Sequence, residues 1–278
     1  MTWTQINTAT PVLNTPDFEA VFGGPSGNAI PLNSFGHPKH FEFVALKGMR
    51  FEVVDQIGTY ILQIRSPSYS DEPLYVDRRF CQPVDEAAPP SLNLSAQAIL
   101  ERMETRVGAA YVWGGNWADG VPEMLLYYPP RSPLDQRTQT LWTLQGLDCS
   151  GLLYEATHGA TPRNTSHLLR FGRTVLQTEP LQVLDMILYP GHVLFVRDQT
   201  TIIESKSPFG VRICSFEKRW NDICDLCRGD ANVGASFTIR RFLEQKKPTS
   251  QTLPNAAKIF PFSEGNSQLR FKYFHQGT

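Results

Sequence analysis

Alternating apolar residues predict that the chain begins with antiparallel β-strands. Phe41, Phe43 and Ala45 recur at every second position, which is the period of a strand with one buried face. Lys47-Gly48 and Ile57-Gly58 interrupt the alternation in the manner of turns. The pattern indicates a small meander or barrel, with strands predicted at 41–45, 51–56, 60–64 and 74–76.

A Pro-rich acidic segment separates this region from the rest of the chain. Residues 83–90 read PVDEAAPP, a composition typical of a linker. The residues after 244 show no strong periodicity. We therefore predict an all-β domain at 1–82, a linker at 83–94, a second domain at 95–244 and a C-terminal tail at 245–278.

The second domain is predicted to combine helices with an antiparallel sheet, which is an α+β fold. Ser95 can cap a first helix that carries Ile99, Met103 and Val107 on one face and ends near Gly108. The other predicted elements are a helix at 150–157 and strands at 185–189, 192–197, 201–204 and 237–242.

Between the two predicted helices lies a long segment, 114–146, rich in proline, glycine and aromatic residues. We predict a long ordered loop, and loops of this length in compact domains tend to be functional. Tyr127, Tyr128 and Trp142 are candidates for a lid over a cleft.

Composition narrows the class of protein. Of the 278 residues, 41% are hydrophobic and 19% are charged, which is typical of a globular chain. Lys and Arg total 26 against 27 Asp and Glu, so the charge favours neither nucleic acid nor an anionic membrane as partner. No apolar window is long enough for a membrane span.

Cysteine usage and the N-terminus bear on the compartment. The five cysteines are unevenly spaced, as expected of reduced thiols rather than a disulfide framework. The first residues lack a basic stretch followed by an apolar run. We predict a cytoplasmic protein, with export by an unrecognised route as the alternative.

Cys149 is the candidate nucleophile. It directly precedes a predicted helix, whose positive dipole end favours the thiolate and whose N–H groups can hold an oxyanion. His192 begins an apolar strand and can serve as base, and Glu204 lies one predicted hairpin later, where it can orient the imidazole. The alternatives are a buried core cysteine, a structural histidine and a solvated carboxylate.

Four short motifs occur in one order along the second domain: YVWGG at 111–115, DCSGL at 148–152, PRNTS at 162–166 and GHV at 191–193. Together they resemble the NlpC/P60 family of cell-wall cysteine peptidases over roughly residues 95–243. The resemblance implies a papain-like α+β catalytic domain with Cys149 as nucleophile and His192 as base. The family's third polar residue is often a histidine, and Glu204 matches that position here.

The resemblance also suggests a substrate. The N-terminal domain weakly resembles the bacterial SH3-like barrels that restrict related enzymes to peptides with a free N-terminal L-Ala. The implied reaction is hydrolysis of the bond between γ-D-glutamate and a diamino acid in a peptidoglycan stem peptide, with no cofactor. Tyr111, Asp148, Ser150 and Arg163 match positions near substrate, although a core aromatic, helix caps and a surface arginine are the alternatives.

Two departures from the family pattern stand out. Residues 116–147 are longer than the usual loop between the Gly-Gly and Asp-Cys elements. The common Pro-Gly-Asp before the histidine strand is Val183-Leu184-Asp185 here, and the missing glycine predicts an altered turn.

Other functions remain open at this point. A Cys–His amidase or acyltransferase would use the same machinery on another amide or ester. A non-enzymatic wall-binding protein is a further alternative. Cys214, Cys224 and Cys227 raise the hypothesis of a zinc or redox site, but a closed zinc site needs a fourth ligand and only His275 lies beyond, and a redox pair normally opens a helix in a βαβ unit. We therefore expect buried thiols and no metal site.

Overall fold

The computed structural model describes residues 2–86, 94–176, 178–229 and 237–243, with the backbone alone for 225–229. The chain forms two compact units. The first contains the described residues of Met1–Asn164 and Glu204–Arg212, and the second those of Thr165–Ile203 and Ile213–Thr278. Part of the predicted linker, 87–93, and the predicted tail lie outside the described residues, so the predicted domain boundaries stay predictions.

The first unit begins with a seven-stranded antiparallel sheet. Its strands are β1 Thr2–Ile6, β2 Thr10–Leu13, β3 Phe41–Ala45, β4 Arg50–Ile57, β5 Ile61–Ser66, β6 Ser70–Asp77 and β7 Cys81–Val84, with helix α1 at Phe18–Val21 and a 3₁₀ turn at Arg78–Phe80. The strand order is β3-β2-β6-β5-β4-β1-β7. The four predicted strands are confirmed as β3, β4, β5 and β6. Within the described residues β3 and β7 are open edges, so no closed barrel is found and the SH3-like barrel stays a prediction.

The first predicted helix is confirmed as α2, Ala96–Glu104. Ser95 caps it by accepting a hydrogen bond from the Ala98 N–H at 3.1 Å, and the side chains of Ile99 and Met103 are fully buried. The expectation that Val107 shares this face is wrong, because the helix ends at Glu104 and Val107 is 48% exposed.

The segment after α2 is more ordered than the predicted loop. It contains β8 Asn116–Trp117, α3 Met124–Tyr127, α4 Gln136–Trp142 and β9 Gly146–Leu147, with β8 and β9 paired. Trp142 is fully buried and Tyr128 nearly so, in one core cluster with Phe18 and Phe22. These two aromatic side chains therefore join the insertion to the N-terminal part of the unit, and the lid predicted from them is wrong.

The second unit centres on antiparallel strands covered by a helix. The elements that follow helix α5 Gly151–Ala156 are α6 Thr165–Leu168, β10 Arg173–Thr174, β11 Met186–Tyr189, β12 His192–Val196, β13 Thr201–Lys206, β14 Gly210–Ser215, α7 Phe216–Gly229 and β15 Thr238–Arg241. Glu204–Arg212, the end of β13 and the start of β14, belong to the first unit, and the other described residues from Thr165 onward belong to the second. The strand order is β10-β15-β11-β12-β13-β14. Phe216 and Trp220 of α7 pack on Ile187 and Leu194 of the sheet. The predicted combination of helices and antiparallel sheet is confirmed, and β14 and α7 are additions to it.

Candidate active site

Cys149 lies between β9 and α5, in the first unit. Its side chain is 6% exposed, and every residue of α5 is buried. The helix start is capped by Asp148, whose Oδ1 accepts a hydrogen bond from the Gly151 N–H at 2.7 Å. Ser150 makes no capping bond and instead donates its hydroxyl to Asp148 Oδ1 at 3.3 Å. The predicted helix after Cys149 is thus confirmed, and Asp148 fixes where it begins.

Two glycines allow the backbone to close tightly around this loop. A Cβ on Gly151 would overlap the carbonyl oxygen of Gly115, so the start of α5 can approach the Gly-Gly segment only without a side chain. Gly114 has a φ of 76°, a region that glycine reaches without strain, and its N–H donates to Asp148 Oδ2 at 3.1 Å. The glycines of both motifs therefore hold Asp148 and the Cys149 loop in place.

Arg163 pairs with Asp148 in the interior. The Arg163 side chain is 4% exposed, and its Nη2 lies 2.7 Å from Asp148 Oδ2 while Nη1 lies 3.1 Å from Oδ1. Burial opposes the charge of Arg163, but the Asp148 carboxylate outweighs that effect and raises the pKa of the guanidinium. A bidentate pair of this kind orients both partners.

The remaining donors of Arg163 are also engaged inside the unit. Nη1 donates to Ser150 Oγ at 3.0 Å, Nη2 to the Gly115 carbonyl at 3.3 Å and Nε to Asn116 Oδ1 at 3.3 Å. A guanidinium has five N–H donors, and these contacts account for each of them. The described contacts give Asp148, Ser150 and Arg163 a role in shaping the loop, and their contact with substrate stays a prediction.

Tyr111 is half-buried in the same unit. Burial raises the pKa of its hydroxyl, and electrostatic interactions with Asp148 and Cys149 raise it further. The hydroxyl therefore keeps its proton and remains a hydrogen-bond donor at neutral pH. That coupling places Tyr111 in the electrostatic surroundings of Cys149, and its role near the substrate stays a prediction.

Glu204 and Ser205 belong to the first unit as well. Ser205 is fully buried and donates its hydroxyl to the Leu147 carbonyl at 2.6 Å, one residue before Asp148. Glu204 is also fully buried, and its Oε1 accepts two hydrogen bonds from Arg212 of β14. Glu204 therefore lies on a strand that is tied to the backbone leading to Cys149, and its role as orienter stays a prediction.

His192 lies in the second unit, at the first residue of β12. It pairs across the hairpin with Tyr189, and the two rings are 5.2 Å apart between centroids. Pro190-Gly191 forms the turn, with Gly191 at a φ of 77°, as a type II turn requires. The Tyr189 hydroxyl accepts a hydrogen bond from Arg219 at 3.1 Å. The imidazole is thus held by its hairpin, and its role as base stays a prediction.

The turn before β11 follows an unexpected route. Leu184 has a φ of 66° although it carries a side chain, and that side chain is 2% exposed. The next residue, Asp185, forms a buried bidentate pair with Arg241 at 2.6 and 2.7 Å. Leu184 therefore adopts a left-handed backbone conformation that strains a residue with a Cβ, and the altered turn inferred from the family pattern stays a prediction.

Sequence reasoning missed Asn116, Ser205 and Arg212. Asn116 and Ser205 directly follow recognised positions, Gly115 and Glu204, and this adjacency is the one signal that could have marked them. Arg212 carries no comparable signal, because β14 was not predicted.

The structure offers no support for a metal centre in the part of the chain that it describes, where no three His, Cys, Asp or Glu side chains gather. The side chain of Cys227 lies outside that part, so the zinc site stays a hypothesis. Among the same residues, no helix is both long and apolar enough to cross a membrane.

Comparison with known proteins gives weak similarities. No family profile and no curated protein matches the chain. An NlpC/P60 family protein from Bacillus cereus aligns at 14% identity and a TM-score of 0.37, covering 87% of this chain and 64% of its own length. RipD from Mycobacterium tuberculosis aligns at 18% identity and a TM-score of 0.36, covering 53% of this chain and 97% of its own length. RipD is described as a non-catalytic NlpC/p60 domain protein with an adaptation to peptidoglycan binding.

NlpC2 from Trichomonas vaginalis aligns at 13% identity and a TM-score of 0.35, covering 88% of this chain and 74% of its own. With 64% of its length covered, the Bacillus cereus protein is spanned to less than two thirds by this chain. Similarities at these TM-scores do not establish a family, and the membership suggested by the motifs stays a proposal.

Proposed function

We propose that this chain is a cysteine peptidase of the NlpC/P60 type that hydrolyses the γ-D-glutamyl–diamino acid bond of peptidoglycan stem peptides. The observation that carries the proposal is the ordered Cys149 loop. Asp148 fixes the helix start beside Cys149 through the Gly151 N–H at 2.7 Å, and Arg163 fixes Asp148. The motifs that place these residues occur in the order of that family.

The reaction would begin with a proton transfer and a nucleophilic attack. His192 takes the thiol proton of Cys149, and the sulfur attacks the amide carbonyl carbon to form a tetrahedral oxyanion. Glu204 holds the imidazole in the tautomer that accepts this proton. The Cys149 N–H and the Tyr111 hydroxyl stabilise the oxyanion, and the raised pKa of Tyr111 keeps that hydroxyl protonated.

The intermediate would then collapse in two stages. The C–N bond breaks as His192 returns its proton to the leaving amine of the diamino acid. Water, deprotonated by His192, attacks the thioester, and the C–S bond breaks to release the γ-glutamyl carboxylate and the thiol. The proton transfers through His192 balance, because the thiol proton passes to the leaving amine and a proton from water restores the thiol.

Cleavage of a defined peptide tests this proposal. Free L-Ala-γ-D-Glu-diaminopimelate is incubated with wild type, Cys149→Ala and Cys214→Ala, and the products are identified by mass spectrometry. We expect L-Ala-D-Glu from wild type and Cys214→Ala and none from Cys149→Ala. No product from folded wild type would refute the substrate and favour an amidase or acyltransferase.

A parallel incubation with intact sacculi tests whether the substrate is the free peptide or the polymer. Cleavage of the free peptide alone would support a recycling enzyme with a free-N-terminus requirement. Cleavage of sacculi would support a wall hydrolase.

A further inference from the structure

Asn116 joins the edge of the N-terminal sheet to the residues around Cys149. Its carboxamide is fully buried. Oδ1 accepts the Val44 N–H at 2.7 Å, and Nδ2 donates to the Val44 carbonyl at 2.7 Å. Val44 lies on β3, an edge strand, so the carboxamide pairs with backbone groups on the strand's open side much as another strand would.

The same carboxamide oxygen also reaches the Cys149 loop. Asn116 Oδ1 accepts a hydrogen bond from Arg163 Nε at 3.3 Å, and Arg163 in turn holds both oxygens of Asp148. Each of these three polar side chains is buried, which makes a lost partner costly for its neighbour. A continuous set of contacts therefore runs from β3 through Asn116 and Arg163 to the residue before the nucleophile.

We propose that Asn116 is a positioning residue for Cys149, and that it makes the N-terminal sheet an integral part of the catalytic unit. This inference rests on the proposed function. In this proposal β3 supports the Cys149 loop directly, so removal of the N-terminal sheet would disturb the site. Without Asn116, the Arg163 guanidinium loses one fixed partner and its alignment with Asp148. The negative charge of Asp148 is then less well neutralised beside Cys149, which opposes formation of the thiolate.

The test measures Cys149 chemistry without a peptide substrate. The full chain is treated with iodoacetamide between pH 6 and 9.5, and the alkylation rate of Cys149 is obtained by peptide mapping. Burial raises the pKa of Cys81 to about 12, so that thiol stays protonated at neutral pH, and its lack of alkylation serves as an internal check that the chain is folded. Wild type, Asn116→Ala and Asn116→Asp are compared.

The matched control is Asn28→Ala. Asn28 also bridges to a distant segment through its carboxamide, because its Oδ1 accepts the Ser132 N–H at 2.8 Å, but its contacts lie outside the Cys149 network. We expect Asn116→Ala to slow Cys149 alkylation at pH 7 by about tenfold, the change that corresponds to about 1.4 kcal/mol, and to recover at high pH. Asn28→Ala keeps the wild-type profile.

Asn116→Asp covers the case in which the alanine variant fails to fold. It is nearly isosteric and keeps an acceptor for Val44 and Arg163, yet it competes with Asp148 for the guanidinium, so the alkylation profile again moves to higher pH. Wild-type profiles in both folded variants would overturn the proposal. Loss of folding in both would overturn it too, since Asn116 would then be a general structural residue.

Failure of the proposed function gives a different result. If wild type cleaves no stem peptide but the Asn116 variants still change Cys149 alkylation, the positioning role stands and the substrate assignment falls.

Discussion

Arg212 binds a single oxygen of the Glu204 carboxylate, because its Nε and Nη2 both donate to Oε1, at 3.0 and 2.7 Å. The Glu204 side chain is fully buried, whereas that of Arg212 is 29% exposed. A buried carboxylate requires such a partner, since an unpaired buried charge is strongly destabilising. Arg212 thus holds the side chain that we propose as the third catalytic residue.

Replacement of Arg212 by methionine should lower the free energy of unfolding. Breaking a fully buried pair costs about 3–5 kcal/mol, and the partial exposure of Arg212 reduces our expectation to about 1–3 kcal/mol. Urea denaturation measures the loss. The control is Arg65→Met, which breaks an exposed pair with Glu52 at 3.3 Å and should cost less than about 1 kcal/mol. Equal losses in the two variants would contradict the prediction.

Arg163→Lys should destabilise the protein and impair Cys149. A lysine ammonium has three donors in a compact group and cannot reproduce the five bonds of the guanidinium. We expect a loss of about 2–4 kcal/mol in unfolding free energy, and a lower kcat for stem-peptide cleavage with KM little changed. Unchanged stability with a raised KM alone would instead identify Arg163 as a substrate ligand.

The strands and the helix after Cys149 were predictable because their signals are local. In β3 and β5 apolar residues recur at every second position, and α5 begins at Gly151, the last residue of the Asp-Cys-Ser-Gly motif. The positions of these elements follow from neighbouring residues alone.

The contacts that complete the site depend on residues distant in sequence. The Asn116 carboxamide faces Val44, and Arg163 reaches back to Asp148. The Pro- and Gly-rich sequence around Trp142 suggests an exposed loop when it is considered alone. In the structure, phenylalanines from the start of the chain bury Trp142. Tertiary packing decides such positions, and a single sequence does not display it.

Leu184→Gly should destabilise the protein even though it relieves backbone strain. A left-handed φ costs a residue with a Cβ about 1–2 kcal/mol, whereas truncation of a buried leucine costs about 2–5 kcal/mol. The loss of burial should prevail, by about 1–3 kcal/mol in chemical denaturation.

His158→Gly is the matched variant for Leu184→Gly. His158 has a similar φ of 52° but an exposed side chain, so relief of strain should prevail and stabilise the protein by up to about 1 kcal/mol. Stabilisation by Leu184→Gly would contradict this balance.

Asp198 should make the hairpin between β12 and β13 sensitive to acid. Partial burial opposes its ionisation, but hydrogen bonds from Thr201 and Thr200 outweigh it and lower the pKa of Asp198 from 3.8 to about 2. A carboxylate whose pKa is lower in the folded state stabilises the fold at pH values above its unfolded pKa. This stabilisation is lost as pH falls from about 4 towards 2.

Asp198→Asn should therefore lower Tm at pH 7 by about 2–4 °C, the shift expected for about 1 kcal/mol. Calorimetry at pH 7, 4 and 3 should show this difference in Tm narrowing below pH 4. The control is Asp71→Asn, which replaces an exposed carboxylate and should leave Tm close to that of wild type at each pH. A difference in Tm that stays constant with pH would show that the substitution acts through packing rather than through the charge of Asp198.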